Sequence, residues 1–269
     1  MDTRVEYYNL DRIHNKCKAE LNAVAKSVIN SGNYVLNTGE FEAEFAAYTG
    51  ARYCCALNSG TSALHIACMA LDLGAGDSLW TTPNTFVASS NCAIYCGARV
   101  DFVDIDPLTY NMSVKKLKEK LIIAKKNNSL PKILVPVHLS GQSCEMREIK
   151  KLSVEYNFKI IEDASHAIGA SYLKSKVGSC EFSDITVFSF HPVKIITTAE
   201  GGCALTNSKY LDKKLKLLVS HGITREKKNL KKKNEQSWYY EFQELGYNYR
   251  LNEIQSALGI SQLKKLNKW

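Results

Sequence analysis

The strongest constraint on the fold is an alternation of short apolar, β-rich runs with helical patterns between residues 53 and 161. The runs and the helical patterns that follow them are Tyr53–Leu57 with Ser62–Leu71, Ser78–Thr82 with Thr85–Tyr95, Arg99–Val103 with Val114–Lys125, and Lys132–Val137 with Glu145–Tyr156, before a last run at Lys159–Ile161. Because parallel strands need a crossover connection, this alternation predicts an α/β fold with a mostly parallel sheet and helices on both faces.

Two further runs and a leading helix complete this prediction. Ile185–Phe190 and Gly202–Leu205 are separated by only a short link, so we expect the sheet to be mixed at this end. Glu20–Ile29 carries apolar residues at helical spacing and is followed by Ser31-Gly32, a C-cap signal. With 269 residues, of which 45% are hydrophobic and 23% charged, disordered and coiled-coil chains are excluded.

The net charge of +8 is concentrated between Lys209 and Lys233. Such a run is more often a solvated loop or helix face than a phosphate-binding surface, and no zinc or recognition-helix signature accompanies it, so we expect no nucleic-acid partner.

The nine cysteines form no C-x-x-C pair, which is typical of reduced thiols. The N-terminus lacks an apolar signal, and no run approaches the ~18 apolar residues of a membrane span. These features predict a cytoplasmic protein outside the membrane.

Polar residues follow four of the predicted strands, at the edge where open α/β sheets bind ligands. Asn58–Ala63 opens a helix after the first strand, and its Gly60, hydroxyls and free N–H groups favour a phosphate, although such a segment is more often a simple N-cap. Thr82–Phe86 places an aromatic ring at the same edge. Taken alone, Phe86 is more often a core residue, but a planar ligand would make it a stacking partner.

The other two segments carry ionisable groups. Phe158–His166 ends an apolar run with Glu162 and Asp163, and a carboxylate there needs a cationic or hydrogen-bonding partner unless Asp163 only caps the next helix. The run from Asp184 leads to Lys194, whose amine becomes nucleophilic if it is desolvated, although a lone lysine is more often exposed. Together the four segments provide a phosphate cradle, a stacking ring, a carboxylate for a pyridinium nitrogen and a Schiff-base lysine. Pyridoxal 5′-phosphate (PLP) requires these groups.

The chain resembles the DegT/DnrJ/StrS family of sugar aminotransferases, which are PLP enzymes of fold type I. The matching segments, in the family's order, are Asn58–His65, Thr82–Ser89, Val137–Gln142, Ile161–Ala167, Phe188–Lys194, Glu200–Gly202 and Leu245–Leu251. The resemblance implies an aspartate-aminotransferase-like, PLP-binding large domain at 33–245, after an N-terminal helical segment at 1–32. It also implies that 246–269 begins a connection to a small C-terminal domain that this chain lacks.

The resemblance implies roles for single residues. Lys194 is expected to hold PLP as a Schiff base and to move a proton at the donor's α-carbon, and Asp163 to pair with the pyridinium nitrogen. His166 is expected beside the ring and Phe86 stacked on it. The residues expected at the phosphate are Gly60, Thr61 and Ser189, with Asn248 from a neighbouring subunit. The weaker substrate-side candidates are Tyr34, Gln142, His191 and Glu200. The resemblance thus implies a homodimer with active sites at the subunit interface, and we expect no metal site.

The implied reaction transfers an amino group from an amino acid, expected to be L-glutamate, to the keto carbon of a nucleotide-linked sugar. The segments Phe188–Lys194 and Glu200–Gly202 most resemble the branch of the family that aminates C4 of a UDP-linked 4-keto-6-deoxy-N-acetylhexosamine towards pseudaminic acid. A departure is Ser140, where the family commonly has an aromatic residue. One alternative is a non-catalytic homologue or dimer partner. Another is a PLP-dependent sugar dehydratase, which Lys194 disfavours because the relevant branch has histidine there.

Overall fold

The computed structural model describes residues 11–34, 38–232, 236 and 238–269. Its strands are β1 (Tyr53–Leu57), β2 (Ser78–Thr81), β3 (Arg99–Phe102), β4 (Ile133–Leu134), β5 (Lys159–Asp163), β6 (Ser171–Tyr172), β7 (Ser175–Lys176), β8 (Ile185–Ser189), β9 (Gly202–Thr206), β10 (Ile223–Thr224) and β11 (Glu241–Phe242). Seven of them form the central sheet in the order β1-β9-β8-β5-β4-β2-β3, and β6-β7 and β10-β11 form two small antiparallel two-stranded sheets. Within the central sheet β9 pairs antiparallel with β1 and β8, and all other pairs are parallel.

Helices cover both faces of this sheet. They are α1 (Asp11–Ser31), α2 (Thr38–Thr49), α3 (Gly60–Ala70), α4 (Ala88–Tyr95), α5 (Val114–Lys126), α6 (Met146–Tyr156), α7 (Lys209–Leu218) and α8 (Glu253–Leu263). The core between the sheet and α3, α4 and α7 contains Ile161 of β5, whereas the core beneath α5 and α6 contains its neighbour Ile160. Successive residues of β5 therefore face opposite layers, as the pleat of a strand requires.

The α/β fold and the mixed sheet predicted from the sequence are confirmed. The predicted strand at 132–137 was too long, because β4 ends at Leu134 and Pro136 has no N–H to continue the ladder. The sequence analysis did not predict α2, although its Phe41 and Phe45 are fully buried beside Phe190. The leading helix is longer than Glu20–Ile29 and packs against α8. Residues 1–10 of the predicted N-terminal segment lie outside the described part, and the domain division at 33 and 246 stays a prediction.

The direction of the strands brings several segments to one edge of the sheet. The carboxyl ends of β1, β5 and β8 lie there side by side, and β9 contributes its first residue because it runs in the opposite direction. All nine cysteines are free thiols. Among the described residues, no helix combines the length and the apolar composition needed to cross a membrane.

Candidate active site

A cavity of about 550 Å³ opens at this edge of the sheet. The residues singled out from the sequence that line it are Gly60, Thr61, Phe86, Asp163, His166, Ser189, His191, Lys194 and Glu200. They come from four separate strand ends, so the fold brings together groups that are up to 140 residues apart in the chain. The carboxyl edge of the sheet is where open α/β folds bind their ligands.

One wall of the cavity is the first turn of α3. The Ser59 side chain caps this helix by accepting the Ser62 N–H at 3.0 Å, and the Ser59 carbonyl accepts the Ala63 N–H at 3.1 Å. Gly60 and Thr61 line the cavity. Because they are in the first turn of the helix, no helical carbonyl is in a position to accept their N–H groups. With the positive end of the helix dipole, these donors form a site for an anion such as a phosphate.

Two glycines allow this wall to form. A Cβ on Gly60 would lie 2.8 Å from the Cβ of Ser189, and a Cβ on Gly202 would lie 2.5 Å from the carbonyl of Ser59. Both distances are shorter than a real side chain tolerates, so β8 and β9 reach the first turn of α3 only because neither position carries a side chain. Ser189 is thereby held against the anion site, as its expected role requires.

Asp163 ends β5 and is only 5% exposed. The Ser89 hydroxyl donates to its Oδ2 at 2.7 Å, and the Ser165 hydroxyl and N–H donate to its Oδ1 at 2.6 and 3.2 Å. A carboxylate has about four acceptor positions, so one remains on Oδ2. The alternative that Asp163 only caps a helix is wrong, because the residues after Ala164 form turns.

Lys194 and His166 both line the cavity, and the pKa of each is below its ordinary value. Burial lowers the pKa of the Lys194 amine, and the attraction of Asp163 opposes this shift only in part. Burial also lowers the pKa of His166, with the repulsion of Lys194 in the same direction and Asp163 opposing. The Ser140 N–H donates to Nδ1 of His166 at 3.3 Å, so the neutral imidazole carries its proton on Nε2. The site therefore combines an amine with increased nucleophilic character and a neutral hydrogen-bond donor.

Phe86 lies on the cavity wall with 71% of its surface exposed. The interpretation of Phe86 as a core residue is therefore wrong. His191 and Glu200 stand opposite each other at the rim, with 3.9 Å between Nε2 and Oε1. Both side chains are about half exposed, so this pair contributes little to the folded state.

Three other candidate residues lie away from the cavity. Tyr34 is 46% exposed, and its carbonyl accepts the N–H of Glu253. Gln142 lines a neighbouring cavity of about 300 Å³ with Tyr110 and Ser140, while Asn248 is exposed and pairs with Ser220. The substrate and phosphate roles of Tyr34, Gln142 and Asn248 stay predictions.

The sequence analysis missed several residues at the site. Val137 and Leu139 supply apolar wall, and the hydroxyl residues Thr85, Ser89 and Ser165 surround Asp163. The signal for Ser165 was its position two residues after a strand-end aspartate, which is typical of a turn closed by a side chain. Ser89 carried no such signal, because its partner is 74 residues away.

Comparisons with known proteins agree with this arrangement. The solved structures that the chain resembles have the fold of the large domain of PLP-dependent aminotransferases. Residues 11–269 match the DegT/DnrJ/EryC1/StrS aminotransferase family, and the chain belongs to this family.

Three relatives illustrate the similarity. A UDP-4-amino-4,6-dideoxy-N-acetyl-beta-L-altrosamine transaminase of Campylobacter jejuni is 45% identical over 245 residues, which are 91% of this chain and 60% of that protein. Helicobacter pylori PseC, an aminotransferase involved in the biosynthesis of pseudoaminic acid, is 35% identical with a TM-score of 0.83 over 93% of this chain and 63% of its own. NtdA from Bacillus subtilis, with bound cofactor PMP, is 27% identical with a TM-score of 0.84 over 100% of this chain and 57% of its own. The chain thus spans about 60% of the length of the curated relative.

Proposed function

We propose that this chain provides the PLP-binding catalytic part of an aminotransferase that moves an amino group from L-glutamate to C4 of a UDP-linked 4-keto-6-deoxy-N-acetylhexosamine, in the biosynthesis of pseudaminic acid. The observation that carries the proposal is the convergence of Lys194, Asp163 and the first turn of α3 on one cavity. An amine, a carboxylate and an anion site are the three anchors that PLP needs.

The residues present fit this cofactor. Its phosphate would meet the N–H groups of Gly60 and Thr61 and the hydroxyl of Ser189, at the N-terminus of a helix. Its ring nitrogen would meet Asp163, whose Oδ2 keeps an acceptor position beside the cavity. Phe86, exposed on the wall, offers a ring face to a planar group. When bound, PLP supplies an aldehyde that captures amines and a ring that accepts the electrons of the α-carbon.

The chain's own residues then have distinct tasks. Lys194 would hold the cofactor through its amine, whose lowered pKa keeps more of it neutral. Once the amine of the amino donor had displaced it, the freed Lys194 amine would be available to move the proton at the α-carbon of the donor. Asp163 would favour a proton on the ring nitrogen through its negative charge, which would stabilise the electrons that the ring accepts. His166 would offer the proton on Nε2 to a group beside the ring, because its Nδ1 accepts the Ser140 N–H.

The acceptor is proposed from the relatives. The Campylobacter protein, 45% identical, is named for an amino sugar carried on UDP, and the Helicobacter protein for pseudoaminic acid. His191, Glu200, Gln142 and Tyr34 are proposed to contact the substrates, the first two from the rim of the cavity itself. The net charge of +8 would attract a diphosphate-bearing substrate at long range, although the described part of the run that carries the excess, 209–233, does not line the cavity.

We propose a homodimer as the working unit. Large apolar side chains are exposed near the cavity mouth and on α4, among them Phe86, Val87, Ile94 and Tyr95. A second copy of the chain would remove these side chains from water, which would stabilise a dimer. Asn248 does not line the cavity of its own chain, and we propose that it reaches the phosphate site of the neighbouring subunit.

The proposal is tested with the purified chain. After addition of PLP we expect a visible absorption band, and after addition of L-glutamate a change of this band together with release of 2-oxoglutarate. The acceptor is then identified by offering a UDP-linked 4-keto-6-deoxy-N-acetylhexosamine and, for comparison, a GDP-linked 4-keto-6-deoxyhexose. We expect an amino sugar from the UDP-linked substrate.

Matched lysine variants provide the control. Lys194→Ala is expected to lose the visible band, whereas Lys151→Ala, which removes an exposed lysine on α6, is expected to keep it. Identical spectra for the wild type and Lys194→Ala, with no response to glutamate in either, would show that this polypeptide is not an aminotransferase. Preferential amination of the GDP-linked sugar would retain the reaction class and overturn the acceptor.

A further inference from the structure

A chain of hydroxyl groups connects the wall of the cavity to Asp163. Thr85 lines the cavity, and its Oγ1 lies 2.8 Å from the Oγ of Ser89. Ser89 is fully buried on α4, and its Oγ lies 2.7 Å from Oδ2 of Asp163. Residues from the loop before α4, from α4 itself and from the end of β5 thus form one hydrogen-bonded row.

The direction of the hydrogen bonds in this row follows from chemistry. An ionised carboxylate only accepts, so Ser89 must give its single hydroxyl proton to Asp163. The Oγ of Ser89 then has only lone pairs left for Thr85, so Thr85 must donate to Ser89. The row therefore runs from Thr85 to Ser89 to Asp163, and hydrogen bonds in such a row strengthen one another.

The behaviour of Ser89 differs from that of an ordinary helical serine. The next residue, Ser90, donates its hydroxyl back to the carbonyl of Val87 at 2.9 Å, which is a common use of serine within a helix. Ser89 donates instead across the core to a carboxylate on β5. The two neighbouring serines therefore form a natural pair of test residue and control.

We propose that Ser89 is a positioning residue for Asp163 and that Thr85 orients Ser89, so that the remaining acceptor position on Oδ2 of Asp163 is held toward the ring nitrogen of a bound pyridoxal-type cofactor. This inference rests on the proposed function. Ser165 occupies Oδ1 twice, and Ser89 occupies one position of Oδ2. Without Ser89 both positions of Oδ2 become free, and the carboxylate loses the contact that fixes which of them faces the cavity.

The test compares Ser89→Ala, Thr85→Val and Ser90→Ala for binding of PLP and for the rate of 2-oxoglutarate release. Loss of one hydrogen bond to a charged group predicts about tenfold weaker PLP binding and slower release in Ser89→Ala. Thr85→Val is expected to have a smaller effect in the same direction, and Thr85→Ser to restore wild-type values. Ser90→Ala is expected to match the wild type. A lower rate at saturating glutamate, with the KM for glutamate unchanged, indicates that the substitution affects the position of Asp163 rather than binding of the amino donor.

The double variant tests the row itself. Once Ser89 is absent, Thr85 has no hydroxyl to orient, so Thr85→Val should add little to Ser89→Ala. Additive effects of the two changes, or equal values for Ser89→Ala and Ser90→Ala, would overturn the proposal.

A measurement without cofactor separates this proposal from the proposed function. The denaturation midpoints of the cofactor-free single and double variants report the coupling of Thr85 to Ser89 directly. Coupling in these midpoints, with no PLP binding by the wild type, would retain the hydroxyl row and reject both the function and the positioning role. Absence of coupling would reject the row whatever the protein binds.

Discussion

Two adjacent carboxylates at the end of β5 have opposite surroundings. Glu162 faces the α6 side, where its Oε2 lies 2.8 Å from Nε2 of His138 and its Oε1 accepts hydroxyls of Ser183 at 2.5 Å and Thr186 at 3.1 Å. Asp163 faces the α4 side and the cavity, with one acceptor position still open. Both are about 5% exposed, so burial alone does not distinguish them.

The two carboxylates differ in whether groups of this chain fill all of their hydrogen-bonding positions. The Cys144 N–H donates to Nδ1 of His138 at 3.1 Å, and Nε2 of His138 lies 2.8 Å from Oε2 of Glu162, so every group in that network has a partner within the chain. Burial lowers the pKa of His138, but its contacts with Cys144 and Glu162 outweigh this effect and raise the pKa to about 10. Burial raises the pKa of Glu162, but the hydrogen bond and the charge attraction of His138, together with the hydroxyls of Ser183 and Thr186, outweigh it and hold this pKa below its ordinary value. Glu162 is thus a structural group, whereas Asp163 is available to a ligand.

The largest expected effect is a loss of stability when the carboxylate of Glu162 is removed. Glu162→Ala leaves three buried donors without an acceptor, so we expect the free energy of unfolding to fall by about 3–5 kcal/mol. Chemical denaturation at pH 7 measures this loss, and Asp163→Asn serves as the matched variant because its side chain still accepts hydrogen bonds. A loss in Glu162→Ala no greater than in Asp163→Asn would contradict the distinction. Since the folded pKa of Glu162 is lowered, the excess loss should shrink as the pH falls through that pKa.

The next effect is on chemistry and falls on the other carboxylate. Asp163→Asn removes the charge proposed to hold the ring proton, so we expect release of 2-oxoglutarate from glutamate to slow by about 10²–10³-fold. Glu162→Gln keeps an acceptor on the opposite face and should retain most of the rate per folded molecule. Rates normalised to the folded fraction test this contrast, and equal losses in the two variants would remove it.

The pH dependence of PLP capture by Lys194 distinguishes the same two carboxylates, because only Asp163 acts on the pKa of this amine. Burial lowers the pKa of its amine, so the neutral form appears at lower pH than in an exposed lysine, and capture of PLP should reach half its maximal rate at a lower pH than at Lys151. Asp163 raises this pKa, so Asp163→Asn should move the profile further down, while Glu162→Gln should leave it in place. Mass spectrometry after borohydride reduction resolves the individual lysines. A Lys194 profile that coincides with that of Lys151 would contradict the prediction.

The smallest expected effect comes from charges at the rim. His191 and Glu200 are half exposed and 3.9 Å apart, so Glu200→Gln should change the free energy of unfolding by less than about 1 kcal/mol. Its effect on the KM of the sugar substrate is the informative measurement, because Glu200 is proposed to contact that substrate. A stability loss as large as that of Glu162→Ala would show that the cavity side also carries structural charge.

Much of the site followed from the sequence because it depends on strand ends. Gly60, Asp163 and Lys194 each stand within a few residues of an apolar run, and the parallel arrangement brings such positions to one edge. Phe86 was predicted at the site only on the hypothesis of a planar cofactor, since an aromatic residue near a strand is more often in the core.

The rest depends on contacts that no local pattern records. Ser89 and Thr85 are ordinary hydroxyl residues until the partner of Ser89, 74 positions away, is known. α2 has two phenylalanines and few other apolar signals at helical spacing, so its burial against Phe190 became visible only in the folded chain. Asn248 and Tyr34 do not line the cavity of this chain, so their predicted roles at the phosphate and the substrate stay predictions.

The two glycines of the anion site also determine where substrate range can change. Because Gly60 and Gly202 already bring backbone against backbone, any larger side chain there would separate α3 from β8 and β9 rather than reshape a pocket. The rim that carries His191 and Glu200 has side chains that are about half exposed. Substitutions intended to change the proposed sugar acceptor should therefore be made at that rim, while Gly60 and Gly202 are kept unchanged.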